Sequence, residues 1–433
     1  MADVIVVGAG IAGLVCAIEL MRAGKSVVVL EKENDVGGRA RSSVIDGCII
    51  DHGFQVLFTA YPTLKSYLDI PALQLRSFRP AAHVISHGRQ SLIGDALRDP
   101  TLLMDAVAPG VIPMADKLRL LALRRFAKQL TIEECFDSSY TSISTRNFLF
   151  ERGFSATVID GFFAPFYGGI LLDRTLSTNA GILLFSFKML SEGDTAVPAR
   201  GMGAIAQQLA DLLPEGAVRT GVCVRSLLTN DQGVQGVVLD DGSTLAAVDV
   251  VLAVATPAAV PLASTAGVVM DAGATGVGDT SLYFVSNRAP LRGKSLWLNG
   301  DMNAVISHAI TLTEVAPEYA PGKSLLVATA LGKAAHMSDE LLEQSARKEL
   351  AHFATVASAS PLPEMKLAVI WRVPYSQFVQ PPGFQPSPAA ISSNVRGLWR
   401  ASELLHSSSL EGAARGGRAA AMALLGMTAG TNH

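Results

Sequence analysis

Val4-Ile5-Val6-Val7 is an unbroken run of β-branched apolar residues, the pattern of a strand buried on both faces. Gly8 to Gly13 (GAGIAG) follows at once. From Leu14 to Ala23 the apolar positions recur at helical spacing, and Gly24 supplies a stop. A second apolar run, Ser26 to Leu30, ends at Glu31. The chain therefore predicts strand, helix and strand within its first 31 residues. Farther on, Asp249 to Thr256 (DVVLAVAT) reads as another buried strand, and Ala204 to Leu213 as a helix. Helical patterning covers Asp105 to Leu130, Ser144 to Arg152 and Ser338 to Val356, with a break expected at Pro165 to Gly169. Ser281 to Val285, Met302 to Leu312 and Ser324 to Leu331 read as extended. Strands alternating with helices place the chain in the α/β class.

Composition narrows this picture. The 433 residues are 49% hydrophobic and only 17% charged, so disorder is excluded. At about 100–200 residues per domain, two or three domains are expected. With 35 Lys+Arg against 38 Asp+Glu the net charge is -3, and no overall basic field exists to hold nucleic acid. Two uncharged stretches raise the question of a membrane span. Val4 to Ile18 is interrupted by Gly8, Gly10 and Gly13 and preceded by Asp3, unlike a signal peptide. Val250 to Met270 is broken by Pro257 and Pro261, and reads as a buried strand, a turn and a short helix. Cys16, Cys48, Cys135 and Cys223 are scattered, so neither a metal site nor a disulfide framework is expected. A reducing, cytoplasmic setting is the default.

The glycine run carries chemistry. Gly8 permits a tight turn, Gly10 lets backbone N–H groups approach a pyrophosphate, and Gly13 lets helix and strand pack closely. The helix N-terminus then faces the phosphates, and Glu31 stands where a carboxylate accepts from ribose hydroxyls. The next residues, Val36-Gly37-Gly38-Arg39-Ala40-Arg41-Ser42, resemble the GG motif of flavoproteins with two dinucleotide-binding domains. That resemblance implies FAD, with Arg39 as the cationic contact to the pyrophosphate and Arg41 near the phosphates or flavin. Ile49 to Gln55 resembles the segment that brings backbone beside the flavin ring, and Gly53 to Leu68 is similar to the same stretch of plant-type phytoene and carotene desaturases. Pro198 to Gly203 resembles a P-x-G-G-M-G return to the FAD domain, with Arg200 in place of the usual first Gly; Val224 then matches the adenine-holding strand.

Gly397 to Glu403 and Ser407 to Ala420 resemble the C-terminal FAD motif of the flavin amine oxidase, phytoene desaturase and protoporphyrinogen oxidase superfamily, closest to its phytoene desaturase-like branch. Ser402-Glu403 replaces the usual Gly-Asp. The resemblance implies a Rossmann-type FAD-binding domain with an inserted α+β substrate domain. FAD would be held without a covalent bond by Gly8, Gly10, Ile11, Ala12, Gly13, Glu31, Lys32, Gly38, Arg39, Arg41, Gly53, Phe54, Val224, Glu403, Leu410, Gly412 and Ala413. Glu403 would bond a ribityl hydroxyl.

The FAD domain is expected to be discontinuous, from 1–75, 195–270 and 385–433, with 76–194 and 271–384 forming the substrate domain. No second GxGxxG follows a strand, so electrons are expected to leave to oxygen, a quinone or another acceptor. His52, Gln55 and His406 are the candidate catalytic side chains, all in flavin-adjacent motifs. Phe54, Phe58, Phe162, Phe163, Phe166, Tyr167, Phe185, Phe187, Phe378 and Phe384 are candidates to line a long apolar pocket. Ser409 stands where the amine oxidase branch has an aromatic residue, which disfavours an amine.

These features point to hydride transfer from an apolar, isoprenoid or carotenoid-like substrate to flavin N5. The alternatives are a flavin-dependent isomerase, an amine or protoporphyrinogen oxidase, and a non-catalytic FAD-bound pigment carrier. Lys117 to Leu130 is a basic amphipathic stretch, with Lys117, Arg124, Arg125 and Lys128 on one face and Leu123, Phe126 and Leu130 opposite. It is a candidate for peripheral contact with an anionic membrane.

Overall fold

The strand Ala2–Val7 sits at the centre of a seven-stranded sheet. It pairs in parallel with Val27–Leu30 on one side and with Thr244–Leu252 on the other. Val218–Arg219 extends the parallel array beyond the former, and Leu398–Arg400 beyond the latter. An antiparallel pair, Val224–Asn230 and Gly233–Leu239, is attached through the first half of Thr244–Leu252. Val4 to Val7 are buried, as a strand covered on both faces requires. The computed structural model describes residues 2–102, 112–270, 275–357, 361–386 and 393–427.

The first helix, Ile11–Arg22, packs along the C-terminal helix, Leu410–Leu424. Their approach depends on missing side chains. A Cβ on Gly417 would collide with the carbonyl oxygen of Ala12, and one on Gly13 with that of Gly8. Helix to helix and helix to strand, the backbones meet closely at the end where the glycine-rich turn lies.

A second seven-stranded sheet takes its strands from 81–94 and 276–378. Its order is Lys366–Phe378, Gly276–Ser286, Ser324–Leu331, Ile306–Thr311, Leu296–Asn299, Ala81–Ser86, Arg89–Gly94. The helix Asp339–Val356 packs on it through Leu342, Ala346, Leu350 and Phe353, meeting Leu282 and Phe284. Strand alternation turns Ser281 and Tyr283 to the opposite side. One register row there runs Ser281, Thr329, His308, Leu298 across four strands. Helices Met114–Gln129, Thr145–Glu151, Ala164–Leu171 and Ala180–Glu192 build the remaining body.

Some expectations need correction. Pro165 to Gly169 is not a break: a π-helical turn, Ile159–Phe163, leads directly into Ala164–Leu171, and the helix runs through Pro165 and both glycines. The helix predicted from Asp105 begins at Met114, residues 103–111 lying outside those described. Met302 to Leu312 is extended only over Ile306–Thr311. As expected, Val250 to Met270 divides between the end of the strand Thr244–Leu252 and the short helix Thr256–Ser264. Among the described residues, no helix is long and apolar enough to cross a membrane.

Candidate functional site

A cavity of about 1470 Å³ runs from the glycine-rich turn, between the second sheet and the start of the C-terminal helix, to a mouth at Leu97, Met114, Leu118 and Leu121. Its inner end is built by the first strand–helix–strand unit. Gly8, Gly10, Ile11 and Ala12 line it, with the helix N-terminus behind them. The position a Cβ would take on Gly10 meets no atom within 4 Å, so a ligand has direct access to backbone there. Gly13 does not line the cavity; it acts through the close packing described above.

Glu31 is buried at the end of its strand. Its Oε2 accepts from the Ala9 N–H at 2.8 Å, and its Oε1 from the Glu33 N–H at 3.1 Å. These two amides fix the carboxylate at the cavity wall. Lys32 lines the wall beside it, its Nζ 3.6 Å from Glu33. Arg41 also faces the cavity; its Nη1 lies 3.3 Å from Glu33, while its buried Nε has no hydrogen-bond partner. Its guanidinium puts a positive charge on the wall that suits an anion. Gly38 and Val224 complete the lining at this end.

Arg39 and Glu403 were expected as separate contacts, to the pyrophosphate and to the ribityl chain. They are instead ion-paired to each other, and Arg39 Nη1 donates to the Ser376 carbonyl at 2.9 Å. Burial works against the Arg39 charge, but the Glu403 carboxylate outweighs it and raises the Arg39 pKa. Both residues line the cavity, so the pair remains available to a ligand as a unit. Ser409 accepts from the Gly412 N–H at 2.9 Å, capping the C-terminal helix, whose N-terminus opens on the cavity with Ser407, Ser408, Leu410 and Ala413. Gly412 itself does not line it; a Cβ there would strike the Ser407 carbonyl.

In the middle section, Gly53 holds a φ of +92°, and the Phe54 N–H donates to Ser281 Oγ at 3.2 Å. His52 and Gln55 line the cavity but are already engaged. The His52 ring stacks on Trp371 at 3.9 Å, and its Nε2 is 2.8 Å from Ser43 Oγ. Burial and the Arg41 charge push its pKa down to about 4. Gln55 Nε2 donates to the Arg39 carbonyl at 2.6 Å, tying two loops together. His406 does not line the cavity at all. Its nearest charges are Arg415 and Glu133, outside the cavity wall, so the geometry gives it no catalytic position.

Two lining residues were not anticipated. Asp279 is buried, accepts from Ser376 Oγ and from Ser281 Oγ, and lies against Gly53. Burial pushes its carboxyl above the usual range, against those hydrogen bonds. His308 is 5% exposed, with its ring 5.4 Å from that of Phe54 and its Nδ1 buried without a hydrogen-bond partner. Burial and the Arg174 charge push its pKa down to about 4, so the ring is neutral. The sequence held no signal for either: His308 stands between Ser307 and Ala309 in a strand that also carries Thr311, and Asp279 stands next to Thr280 and Ser281.

Of the aromatic residues expected to line a pocket, Phe54, Phe58, Phe162, Phe166, Tyr167, Phe185 and Phe187 do so. Phe163 is fully buried in the core, and Phe378 and Phe384 pack on each other with centroids 5.3 Å apart. Among the described residues no cluster of His, Cys, Asp and Glu is arranged to hold a metal ion.

Residues 11–425 match a protein family described as Flavin containing amine oxidoreductase. Protoporphyrinogen oxidase 2 of Arabidopsis thaliana is 31% identical over 168 residues, covering 38% of this chain and 32% of that protein. An L-amino-acid oxidase of Trimeresurus stejnegeri is 31% identical over 159 residues, covering 35% and 31%. The matched stretch thus spans about a third of the length of each relative. A solved structure of wild-type putrescine oxidase bound to putrescine superposes with a TM-score of 0.71 at 19% identity, covering 98% of this chain and 99% of the other. At that identity the likeness shows the fold.

Proposed function

This chain belongs to the flavin containing amine oxidoreductase family, and from that membership we propose that it binds FAD non-covalently and dehydrogenates an apolar, isoprenoid-like substrate. The residues present fit the cofactor. Gly10 offers open backbone at a helix N-terminus, Glu31 a fixed carboxylate, and Arg41 a cation on the cavity wall. When bound, the flavin supplies the two-electron acceptor. This chain positions the substrate and manages the proton. Asp279, raised by burial and lying against Gly53, takes a proton at a carboxylate oxygen, with Ser376 and Ser281 holding its orientation. Oxygen or a quinone would serve as the final electron acceptor.

The observation that carries the substrate class is the outer half of the cavity. Ile93, Ile112, Leu120, Phe162, Phe166 and Leu296 line it, with Arg79, Asp95, Arg98, Lys117 and Arg124 beside Leu97 and Leu118 at the rim; the apolar wall suits hydrocarbon, and the surplus of cations disfavours an ammonium group. Anaerobic addition of isoprenoids to the yellow protein is expected to bleach the flavin, while putrescine leaves it oxidised. Bleaching by the amine alone would overturn the substrate class, and a product of unchanged mass would replace dehydrogenation by isomerisation.

The mouth favours delivery from an anionic lipid surface, which we also propose. Helix Met114–Gln129 buries Leu123 and Ala127 in its own domain, with Phe126 half-buried, so the apolar face expected to meet a membrane is already covered. A different stripe is exposed: Met114 at 58%, Leu118 at 62% and Leu121 at 51%, with Leu97 at 70% beside them on the rim. The exposed Arg125 continues that stripe, and Lys128 flanks it. Apolar residues ringed by cations suit the headgroup boundary of an anionic bilayer. Wild-type protein is expected to co-sediment with phosphatidylglycerol-containing vesicles, less so at high salt. The Leu118→Glu/Leu121→Glu variant should stay in the supernatant; wild-type protein that never sediments would exclude this route.

A further inference from the structure

One piece of the cavity wall, at the mouth, is held differently from the rest. Residues 94–100 leave the edge strand Arg89–Gly94 and run into the short turn Pro100–Leu102. None of these seven residues is buried, and Leu97 is 70% exposed. Burial resumes at Leu102, which packs where a Gly94 Cβ would be. Yet Asp95, Ala96, Leu97 and Arg98 all line the cavity. A wall segment with no buried side chain is not fixed by apolar packing.

Charge holds it instead. From the helix Met114–Gln129, Arg124 Nη1 reaches Asp95 Oδ1 at 2.7 Å. From the entry to the strand Ala81–Ser86, Arg79 Nε reaches Asp99 Oδ2 at 2.7 Å, and its Nη2 donates to Thr101 Oγ1 at 2.8 Å. Arg98 pairs with Asp194, just beyond the helix Ala180–Glu192, and its Nη1 donates to the Leu190 carbonyl at 2.9 Å. Each of three neighbouring elements is thus joined to the segment by one ion pair. Within the segment, the Leu97 N–H donates to Asp95 Oδ1, and the Arg98 and Asp99 N–H groups donate to the Asp95 carbonyl. These bonds are internal, so the turn keeps its shape when the ion pairs part. One backbone bond leads outward, from the Asp95 N–H to the Pro80 carbonyl at 2.9 Å.

We propose that residues 94–100 form a lid at the cavity mouth, latched by these three ion pairs and swinging as a unit when they break. This rests on the reading that an apolar ligand enters the cavity, and concerns its passage and not its chemistry. The six side chains of the latch are all partly exposed, from 17% to 53%, so water and salt reach every pair. Pairs of that kind are individually weak, and salt weakens them further. All three must part together before the segment leaves the wall, which keeps the mouth narrow at low salt without sealing it. Opening widens the route between Leu97 and Leu118, the two exposed apolar residues on the rim. Lids of this size move on the microsecond-to-millisecond scale, fast enough to gate entry and release.

The experiment follows the uncharged dye Nile red entering and leaving the FAD-loaded protein by stopped-flow fluorescence, at low and at high sodium chloride. In wild-type protein both rates are expected to rise about tenfold with salt, the combined effect of three exposed pairs, while the dissociation constant stays nearly the same. The Asp95→Asn/Asp99→Asn/Asp194→Asn variant should exchange the dye at the fast rate in both conditions. Arg98→Gln, which removes one pair, should speed both rates about twofold at low salt. Flavin content verifies that each variant is folded. Salt-independent rates in wild-type protein, or wild-type rates in the triple variant, overturn the lid alone. Faster dissociation with unchanged association would show lost contacts instead of opening, and overturns it too. A dye that never binds overturns the apolar-substrate reading, and the lid with it.

Discussion

Gly13→Ala is expected to destabilise the cofactor-free protein by on the order of 3 kcal/mol or more, whereas Gly10→Ala, three residues away, should leave that stability almost unchanged. At Gly13 the new methyl group meets the Gly8 carbonyl oxygen, a backbone atom that moves only if the turn moves. At Gly10 the methyl group meets nothing, and the backbone (φ -74°, ψ 173°) is one that alanine adopts without strain. There the cost falls on the ligand. The methyl group projects where a phosphate must approach the helix N-terminus, and the flavin dissociation constant should rise about 100-fold, about 2.7 kcal/mol. Urea unfolding of the apo-proteins and flavin titration separate the two effects. Equal loss of stability in both variants would show that the glycines act alike and would remove the distinction.

Arg39→Met is expected to cost on the order of 3 kcal/mol in unfolding free energy, the lower end of the range for breaking a buried ion pair because Arg39 is a third exposed. Most of that cost is the Glu403 carboxylate, only 9% exposed, left without its partner. Glu403→Gln in the same chain should recover most of the loss, since an amide tolerates the site without a cation. A double-mutant cycle by denaturant unfolding measures the coupling. Additive losses would mean that the contact contributes little. The variant also tests whether the cofactor relies on the pair: Arg39→Met should bind flavin weakly even where the double variant is well folded.

The strand–helix–strand start and its acid were legible because they are local. Val4 to Glu31 state their structure through hydrophobic period and glycine placement within one contiguous stretch. The candidate catalytic residues were not legible. His52, Gln55 and His406 stood in the right motifs, but a motif does not tell whether a side chain is already occupied. Ser43 and Trp371 engage His52, the Arg39 carbonyl engages Gln55, and His406 lies outside the cavity lining. Asp279 and His308 acquire their setting only when strands far apart in sequence are brought into register with Gly53 and Gly169. Likewise, the helical period of Lys117 to Leu130 placed Leu123 inward but did not show that Arg124 would pair with Asp95 or that Leu118 and Leu121 would stand exposed among the cations. Leu123 and Ala127 went inward, and Met114, Leu118 and Leu121 stayed out.

The order of assembly has a consequence for synthesis. Leu398–Arg400 completes the parallel sheet beside Thr244–Leu252, and Gly417 seats the C-terminal helix on the first helix. Glu403, Leu410 and Ala413 close the cradle whose floor was laid by Gly10 and Glu31. A nascent chain on the ribosome therefore displays the glycine-rich turn long before the opposite wall of the cavity exists. Contacts of such long sequence separation form late and slowly. A chain cut before residue 398 has the glycine turn but lacks Glu403, Leu410 and Ala413, and so lacks that wall of the cavity.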